Sequence, residues 1–214
     1  MTEWLNLFVL IIVPILLIYS FYKPIARRRE IRSTWQAIAE EMGWIFFAEN
    51  SGNVVATLQG TKNERSFEVK AYLTTGRNGP VEYAELIASL ATPKEFSLLS
   101  RFSGQIVGDD AGAWRKLFDR VKSGDILFDN SYSFAGYPKE DVKRVLANAE
   151  IRLAIKAIYP LNAPIFVHPI VHLADGQIGI RLPKPLTQKS EIRGYVEKLD
   201  KLAELIEKEF GVNN

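Results

Sequence analysis

The first apolar segment of the chain covers residues 4–22, a stretch without any charged side chain. As a helix rising about 1.5 Å per residue it would be roughly 28 Å long, close to the ~30 Å of a bilayer's hydrocarbon core. A helix in a soluble core would show a polar face, which this segment lacks. Trp4 and Tyr22 place aromatic rings near its two ends, as membrane interfaces favour. We predict a membrane-spanning helix over about residues 4–22.

The residues around this span indicate whether it is cleaved and how it is oriented in the membrane. A cleaved signal peptide needs positive charge before the apolar run and small residues after it, whereas Glu3 precedes this run and an aromatic, lysine-containing stretch follows it. Basic residues stay on the cytoplasmic side of a membrane. We therefore predict an uncleaved signal anchor that crosses the cell membrane once, with the N-terminus outside and the rest of the chain in the cytoplasm. The basic residues that set this topology, and that can also contact anionic lipid of the bilayer, are Lys23, Arg27, Arg28, Arg29 and Arg32.

After residue 32 the apolar positions recur at helix or strand spacing. Ser33 and Gln36 have the spacing of a capping box, and an apolar stripe predicts a helix over 33–42, which can also run on from the span. The alternating segments 54–60 and 66–73 predict a hairpin. In its second arm, Glu68, Lys70 and Tyr72 share one face. The same reasoning predicts strands at 44–48, 81–91, 96–102 and 131–137, a loop at 74–80, helices at 110–122, 138–148, 149–158 and about 188–210, and a hairpin at 164–183 with Asp175-Gly176 at its tip.

Antiparallel strands mixed with a few helices indicate an α+β fold. We expect one N-terminal transmembrane helix, followed by a mostly antiparallel sheet covered by helices that include the long C-terminal one. Residues 1–32 would form the anchor and its basic flanking segment, and residues 33–214 the cytoplasmic α+β domain. A domain of this length is large enough for one core.

Charge and cysteine content exclude several function classes. The chain carries +2 overall and residues 1–32 carry +3, so the remainder is close to neutral. A neutral domain gives no electrostatic reason to bind nucleic acid. Because the chain has no cysteine, thiolate catalysis, disulfides and Cys-ligated metal sites are impossible.

The stretch "GDILFDN" contains the most suggestive acidic residues. Asp125 and Asp129 could serve a metal or acid–base site, but a calcium loop needs more oxygen ligands at closer spacing. We interpret both as structural residues that accept hydrogen bonds from backbone amides. The apolar residues between them, Ile126 to Phe128, should then point at least partly into the core.

The two histidines, His168 and His172, fall in a predicted strand. At about 3.3 Å per residue they would lie roughly 13 Å apart, too far to share an ion whose ligand bonds are about 2 Å. The chain also lacks a nucleophile elbow, a phosphate loop and a dinucleotide fingerprint. We therefore predict no catalytic, cofactor-binding or metal-binding residues and no cofactor.

The segment 123–146 resembles a pattern found in uncharacterised membrane-anchored proteins of bacteria and archaea. In them, an N-terminal span precedes an α+β domain with a Gly-Asp, Phe-Asp and Phe-x-Val/Ala-x-Gly run, which has no established activity. The resemblance implies the layout of an anchor followed by a domain. The matching residues are Gly124, Asp125, Phe128, Asp129, Phe134, Ala135 and Gly136.

Three functions stay open. The first is a membrane-anchored interaction or scaffold domain that holds a protein partner at the cytoplasmic face. The second is a small-molecule or lipid-binding module with an apolar pocket between the sheet and the C-terminal helix. The third is an enzyme with an unfamiliar site near Asp125 and Asp129.

Overall fold

The computed structural model describes residues 12–13, 25–49, 52–76, 79–93, 95–102, 120–159 and 170–212. Within these ranges no helix combines the length and the apolar composition needed to span a bilayer. The predicted span at 4–22 lies outside the described residues, apart from residues 12 and 13, which are helical. Lys23 also lies outside them.

The described residues include one large antiparallel sheet. Its strands follow one another in space in the order β1-β2-β3-β4-β9-β8-β5-β7-β6, and all neighbours are antiparallel. The strands are β1 (Ile45–Ala48), β2 (Val54–Lys62), β3 (Arg65–Gly76), β4 (Gly79–Ser89), β5 (Ser97–Phe102), β6 (Arg120–Val121), β7 (Tyr132–Tyr137), β8 (Ile170–Ala174) and β9 (Gln177–Leu182).

The helices bury their apolar sides in a single core with one face of this sheet. The predicted α+β fold, with a large antiparallel sheet and a long C-terminal helix, is confirmed. The helices are α1 (residues 25–42), α2 (Ile126–Ser131), α3 (Lys139–Ala147), α4 (Ala149–Ile158) and α5 (Lys189–Glu209).

Helix α1 begins upstream of the position that the capping-box spacing predicted. Ser33 lies inside the helix, where its hydroxyl donates to the carbonyl of Glu30 at 3.0 Å, so the predicted cap at Ser33 is wrong. Ile31 and Trp35 belong to the core, and the Trp35 indole N–H donates to the carbonyl of Leu186 at 2.8 Å. The predicted domain start at residue 33 therefore falls within a helix that is already packed against the domain.

Helix α5 lies against the sheet through residues spaced three and four apart, as predicted. Ile192, Leu199, Leu202 and Ala203 are completely buried. Their side chains occupy the space between helix and sheet in which the second functional hypothesis places an apolar pocket.

Two local predictions are wrong. The predicted loop at 74–80 is the end of a hairpin, because the long ladder between β3 and β4 continues to the pair Gly76 and Gly79. The end of the predicted helix at 110–122 is strand β6, which pairs with β7, whereas residues 110–119 lie outside the described residues. In both cases pairing with a neighbouring strand overrides the local preference of the sequence.

Candidate binding surface

One face of the sheet points away from the helices of the described part, and we call it the outer face. Strand alternation assigns its residues, because the core side chains of β3, β4 and β9 lie at every second position. Its middle part consists of Glu68, Lys70 and Tyr72 of β3, Tyr83, Glu85 and Ile87 of β4, Gly179 and Arg181 of β9, and His172 of β8.

Five of these residues form a connected group, the Glu85 cluster: Tyr72, Tyr83, Glu85, His172 and Arg181. The Tyr72 hydroxyl donates to Glu85 Oε2 at 3.0 Å, and Arg181 Nη2 donates to Glu85 Oε1 at 3.2 Å. The rings of Tyr72 and Tyr83 stack at 4.3 Å, and the Arg181 guanidinium lies 5.6 Å from the centroid of Tyr83, within the range of a cation–π contact. Glu85 is buried beneath its neighbours although it belongs to the outer face.

A glycine makes room for the histidine of this cluster. His172 and Gly179 are cross-strand partners, and a Cβ atom added at Gly179 would collide with the imidazole ring. The ring therefore lies directly over the backbone of β9. Its Nε2 atom is 3.8 Å from Glu85 Oε1, which is beyond hydrogen-bond distance.

The protonation states of the cluster follow from burial. Burial, and then the negative charge of Glu85, raise the pKa of Tyr72, so the phenol keeps its proton and donates it to the carboxylate. Burial lowers the pKa of His172 below its usual value; Arg181 adds to this effect and Glu85 opposes it. At neutral pH the imidazole is therefore uncharged, and its contact with Glu85 is not an ion pair.

We expect His172 to make the folded state less stable in mild acid. Below the usual imidazole pKa of about 6.5 the unfolded chain binds a proton that the folded chain resists, so stability falls as the pH falls. Replacing His172 by glutamine should make the free energy of unfolding depend less steeply on pH between about 7 and 5. Denaturant unfolding at several pH values measures this slope. The other histidine, His168, lies outside the described residues. Equal slopes for wild type and His172→Gln would show that His172 does not cause this pH dependence.

A hollow of about 460 Å³ lies beside the cluster on the same side of the sheet. It reaches from β1 across β2, β3 and β4 to the first residue of β9. The hollow and the cluster meet where Ile87 pairs with Gly179. Together they form a continuous surface of rings, charged groups, amides and hydroxyls. The residues that line the hollow include Ile45, Gln59, Glu68, Ile87, Ser89 and Gln177.

The two aspartates of the "GDILFDN" stretch lie far from this surface in the fold, next to α2. Asp125 caps α2 and accepts from the backbone N–H of Phe128 at 3.0 Å, an interaction that lowers the pKa of its carboxyl. Asp129 accepts from Ser123 N–H and hydroxyl, both at 2.9 Å, and from Gly124 N–H at 3.1 Å. These are the contacts expected of residues that shape a loop.

The apolar residues between these aspartates depart from expectation. Phe128 is fully buried, but Ile126 and Leu127 are 76% and 78% exposed. The prediction that all three point at least partly inward is wrong for these two. The reason is the short helix α2, in which successive residues turn by about 100° and only one side can face the core.

Replacing Asp129 by alanine should lower the free energy of unfolding by about 1–2 kcal/mol, because three donors lose their acceptor. Asp129→Asn retains one acceptor oxygen and should lose less. Thermal unfolding of the full chain in detergent measures both effects. Millimolar Mg²⁺ or Ca²⁺ should leave the wild-type melting temperature unchanged. Stabilisation by either metal that disappears in Asp129→Ala would overturn the structural role.

Several of the basic residues predicted to set topology also bind the domain. Arg27 makes two hydrogen bonds to the carboxylate of Glu82, at 2.7 and 2.8 Å. Arg28 donates to a backbone carbonyl at 3.0 Å, and Arg32 donates to the carbonyls of Val55 and Glu49. Arg29 is exposed. Their role at a membrane stays a prediction.

The Glu85 cluster is the part of the surface that the sequence did not reveal. Alternation did place Glu68, Lys70 and Tyr72 on one face. Glu85 and Arg181 are 96 positions apart in the sequence, and their contact depends on the pairing of β4 with β9. The described residues contain no group of three or more acidic or histidine side chains placed to hold a metal ion.

No protein-family model matches the sequence, and no match to a curated protein was found. A solved structure is similar in fold: the crystal structure of the mycobacterial trehalose monomycolate transport factor A, TtfA. The superposition has a TM-score of 0.58 and covers 83% of this chain and 95% of that chain, at 8% sequence identity. At this identity the likeness concerns the fold alone.

Proposed function

We propose that the chain is a membrane-anchored binding protein. Residues 4–22 anchor it, the α+β domain lies at the cytoplasmic face, and the outer face of the sheet receives a partner. The observation that carries the proposal is the Glu85 cluster together with its adjoining hollow. Partly exposed rings and charged groups held in fixed positions on one face are typical of a recognition surface.

The contacts of the cluster favour binding over catalysis. Both oxygens of Glu85 already accept hydrogen bonds, and Tyr72 keeps its proton. Arg181 remains nearly half-exposed, at 47%, and donates to Glu85 through Nη2. A guanidinium has five N–H donors, so as far as the described residues go most of its capacity is left for a partner.

The second candidate function is a ligand-binding module. The hollow on the outer face favours it, since its volume lies within the ~300–1,000 Å³ usual for ligand sites. The similar fold belongs to the mycobacterial trehalose monomycolate transport factor A. By analogy, a role in lipid transport is compatible with this candidate. The ligand would lie on the outer face rather than between the sheet and α5.

Membrane anchoring and orientation are tested together in cells that express the full chain. We expect the chain to stay with the membrane fraction after high-salt and alkaline washes, because an apolar span of this length does not dissolve in water. A reporter active only in the cytoplasm should work when fused after Asn214.

Two results would contradict the anchor and its orientation. Release of the wild-type chain into the supernatant by the alkaline wash excludes a span. Activity of an exported reporter, but not of the cytoplasmic one, at the C-terminus reverses the orientation. Neutralising Lys23, Arg28 and Arg29 should mix the two orientations, and it leaves intact the side-chain contacts of Arg27 and Arg32 with the domain.

A further inference from the structure

The hollow on the outer face has no uncompensated charge among its described lining residues. Glu68 is its one charged side chain there. Its Oε2 atom lies 2.6 Å from Lys70 Nζ, and its Oε1 atom accepts from Gln59 Nε2 at 3.0 Å. Among the described lining residues, an ionic ligand would therefore find no opposite charge that is not already paired.

The remaining polar groups of the hollow are amides and hydroxyls. Gln59 and Gln177 each carry both a donor and an acceptor group, and so does the hydroxyl of Ser89. Gln59 and Gln177 are exposed. Ile87 and Ile45 add apolar surface beside them. This combination complements a molecule that has several hydroxyl groups around its edge and an apolar C–H face.

Most of the backbone under the hollow is not available to a peptide. β2, β3, β4 and β9 each have a hydrogen-bonded strand on both sides, whereas β1 ends the strand order of the described sheet and has a neighbour on one side. A peptide that bound as an added strand needs a free edge with unpaired N–H and C=O groups. Recognition over β2, β3, β4 and β9 therefore depends on side chains, which favours a compact ligand over an extended peptide.

We propose that the hollow binds a neutral, hydroxyl-rich ring of the size of one or two hexose units. The ring could belong to a free sugar or to the headgroup of a glycolipid. This inference rests on the proposed role of the outer face as a binding surface and names the chemistry that the face recognises.

The full chain, purified in a detergent without a sugar headgroup, allows a direct test. Maltose is titrated by calorimetry as a free sugar. The second arm uses the full chain reconstituted in immobilised phosphatidylcholine nanodiscs and measures the capture of added phosphatidylcholine vesicles with and without a glucosyl diacylglycerol. Inorganic phosphate serves as the ionic probe.

The test variant replaces two glutamines of the hollow by leucine, and the control variant replaces one glutamine outside it. In the double variant Gln59→Leu with Gln177→Leu both amides of the hollow are lost, and binding should weaken about tenfold or more from the lost hydrogen bonds. Gln36→Leu makes the same kind of change on the exposed side of α1, where the Gln36 amide donates to Glu40, and should leave binding unchanged. Thermal unfolding confirms that each variant is folded.

The outcomes distinguish a free sugar from a glycolipid headgroup as the ligand. They also distinguish failure of the sugar site from failure of the proposed binding surface. Saturable maltose binding with this variant pattern supports a free sugar; binding only to glucosyl lipid vesicles supports a headgroup. Absence of both, phosphate binding in their place, or equal binding by all variants would overturn the inference. If sugar binding is absent while a photoreactive residue at position 177 still crosslinks to a partner, the proposed function survives without the sugar site.

Discussion

Replacing Arg65 by alanine should lower the free energy of unfolding by about 3–5 kcal/mol, the usual cost of removing one partner from a buried ion pair. The Arg65 guanidinium makes two 2.7 Å hydrogen bonds to Glu207 and one of 3.1 Å to Asp200. The side chains of Arg65 and Glu207 are only 9% and 6% exposed. Without Arg65, the carboxylate of Glu207 would remain buried with one backbone donor, Ala91.

The pH dependence of this loss provides a second check. Burial raises the pKa of Glu207, but the hydrogen bonds from Arg65 and Ala91 outweigh burial and bring the pKa below its usual value. In the wild type, the stability from this carboxylate is therefore lost only as the pH falls below about 4.5. In Arg65→Ala the burial of Glu207 dominates and raises the pKa of its carboxyl. Protonation of Glu207 then removes the unpaired buried charge at a higher pH than in the wild type. The difference in the free energy of unfolding between the wild type and Arg65→Ala should narrow as the pH falls from 7 to 5.

Denaturant unfolding measures these differences, with Lys62→Ala as the control. Lys62 lies in the same hairpin, but its ion pair with Glu197 is long, at 3.9 Å, and solvent-exposed. Such pairs contribute about 0–1 kcal/mol. A loss below about 1 kcal/mol for Arg65→Ala, or a loss equal to that of Lys62→Ala, would show that the buried network does not hold α5 on the hairpin.

Replacing Gly136 by alanine should destabilise the fold by about 1–3 kcal/mol or more, as overpacking does in a tight core. A Cβ at this position would collide with the carbonyl oxygen of Ser97 and come within 2.8 Å of a methyl carbon of Val142. The carbonyl belongs to the neighbouring strand and cannot move without breaking the ladder between β5 and β7. The close approach of α3 to β7 therefore requires glycine.

The same substitution at Gly194 should have the opposite effect and stabilise the fold. Gly194 lies inside helix α5, and a Cβ there would meet no atom within 4 Å. Alanine is favoured over glycine in a helix by about 0.5–1 kcal/mol, so Gly194→Ala should raise the melting temperature. Thermal unfolding of the two variants side by side measures both signs. A neutral Gly136→Ala would contradict the packing described here.

Elements with a strong local pattern could be predicted from the sequence. Helix α5 was predicted to within about a residue, because its apolar stripe continues through the whole helix. The turn between β8 and β9 was also predicted, and its reason is local: Asp175 and Gly176 both have positive φ, at 54° and 69°, which the tight hairpin turn demands.

Features that depend on distant residues could not be predicted. Helix α2 has only six residues, too few for a periodic pattern. The capping-box spacing of Ser33 and Gln36 occurs by chance inside α1, so it could not decide between a helix that starts there and one that runs on from upstream. The Glu85 cluster depends on the register of β4 against β9 and of β9 against β8, and strand alternation alone carries no information on which strands are neighbours.

Site-specific photo-crosslinking in native membranes tests the central claim most directly. A photoreactive residue replaces Gln177 at the hollow in the full chain, and in a control chain it replaces Arg193 on the exposed side of α5. We expect one discrete crosslinked product, whether with a protein or with a lipid, from position 177 and none from position 193. Adding Arg181→Glu, which reverses the charge beside Glu85, should abolish that product. Equal products from both positions, or a product at 177 that is unaffected by Arg181→Glu, would contradict a binding surface on the outer face.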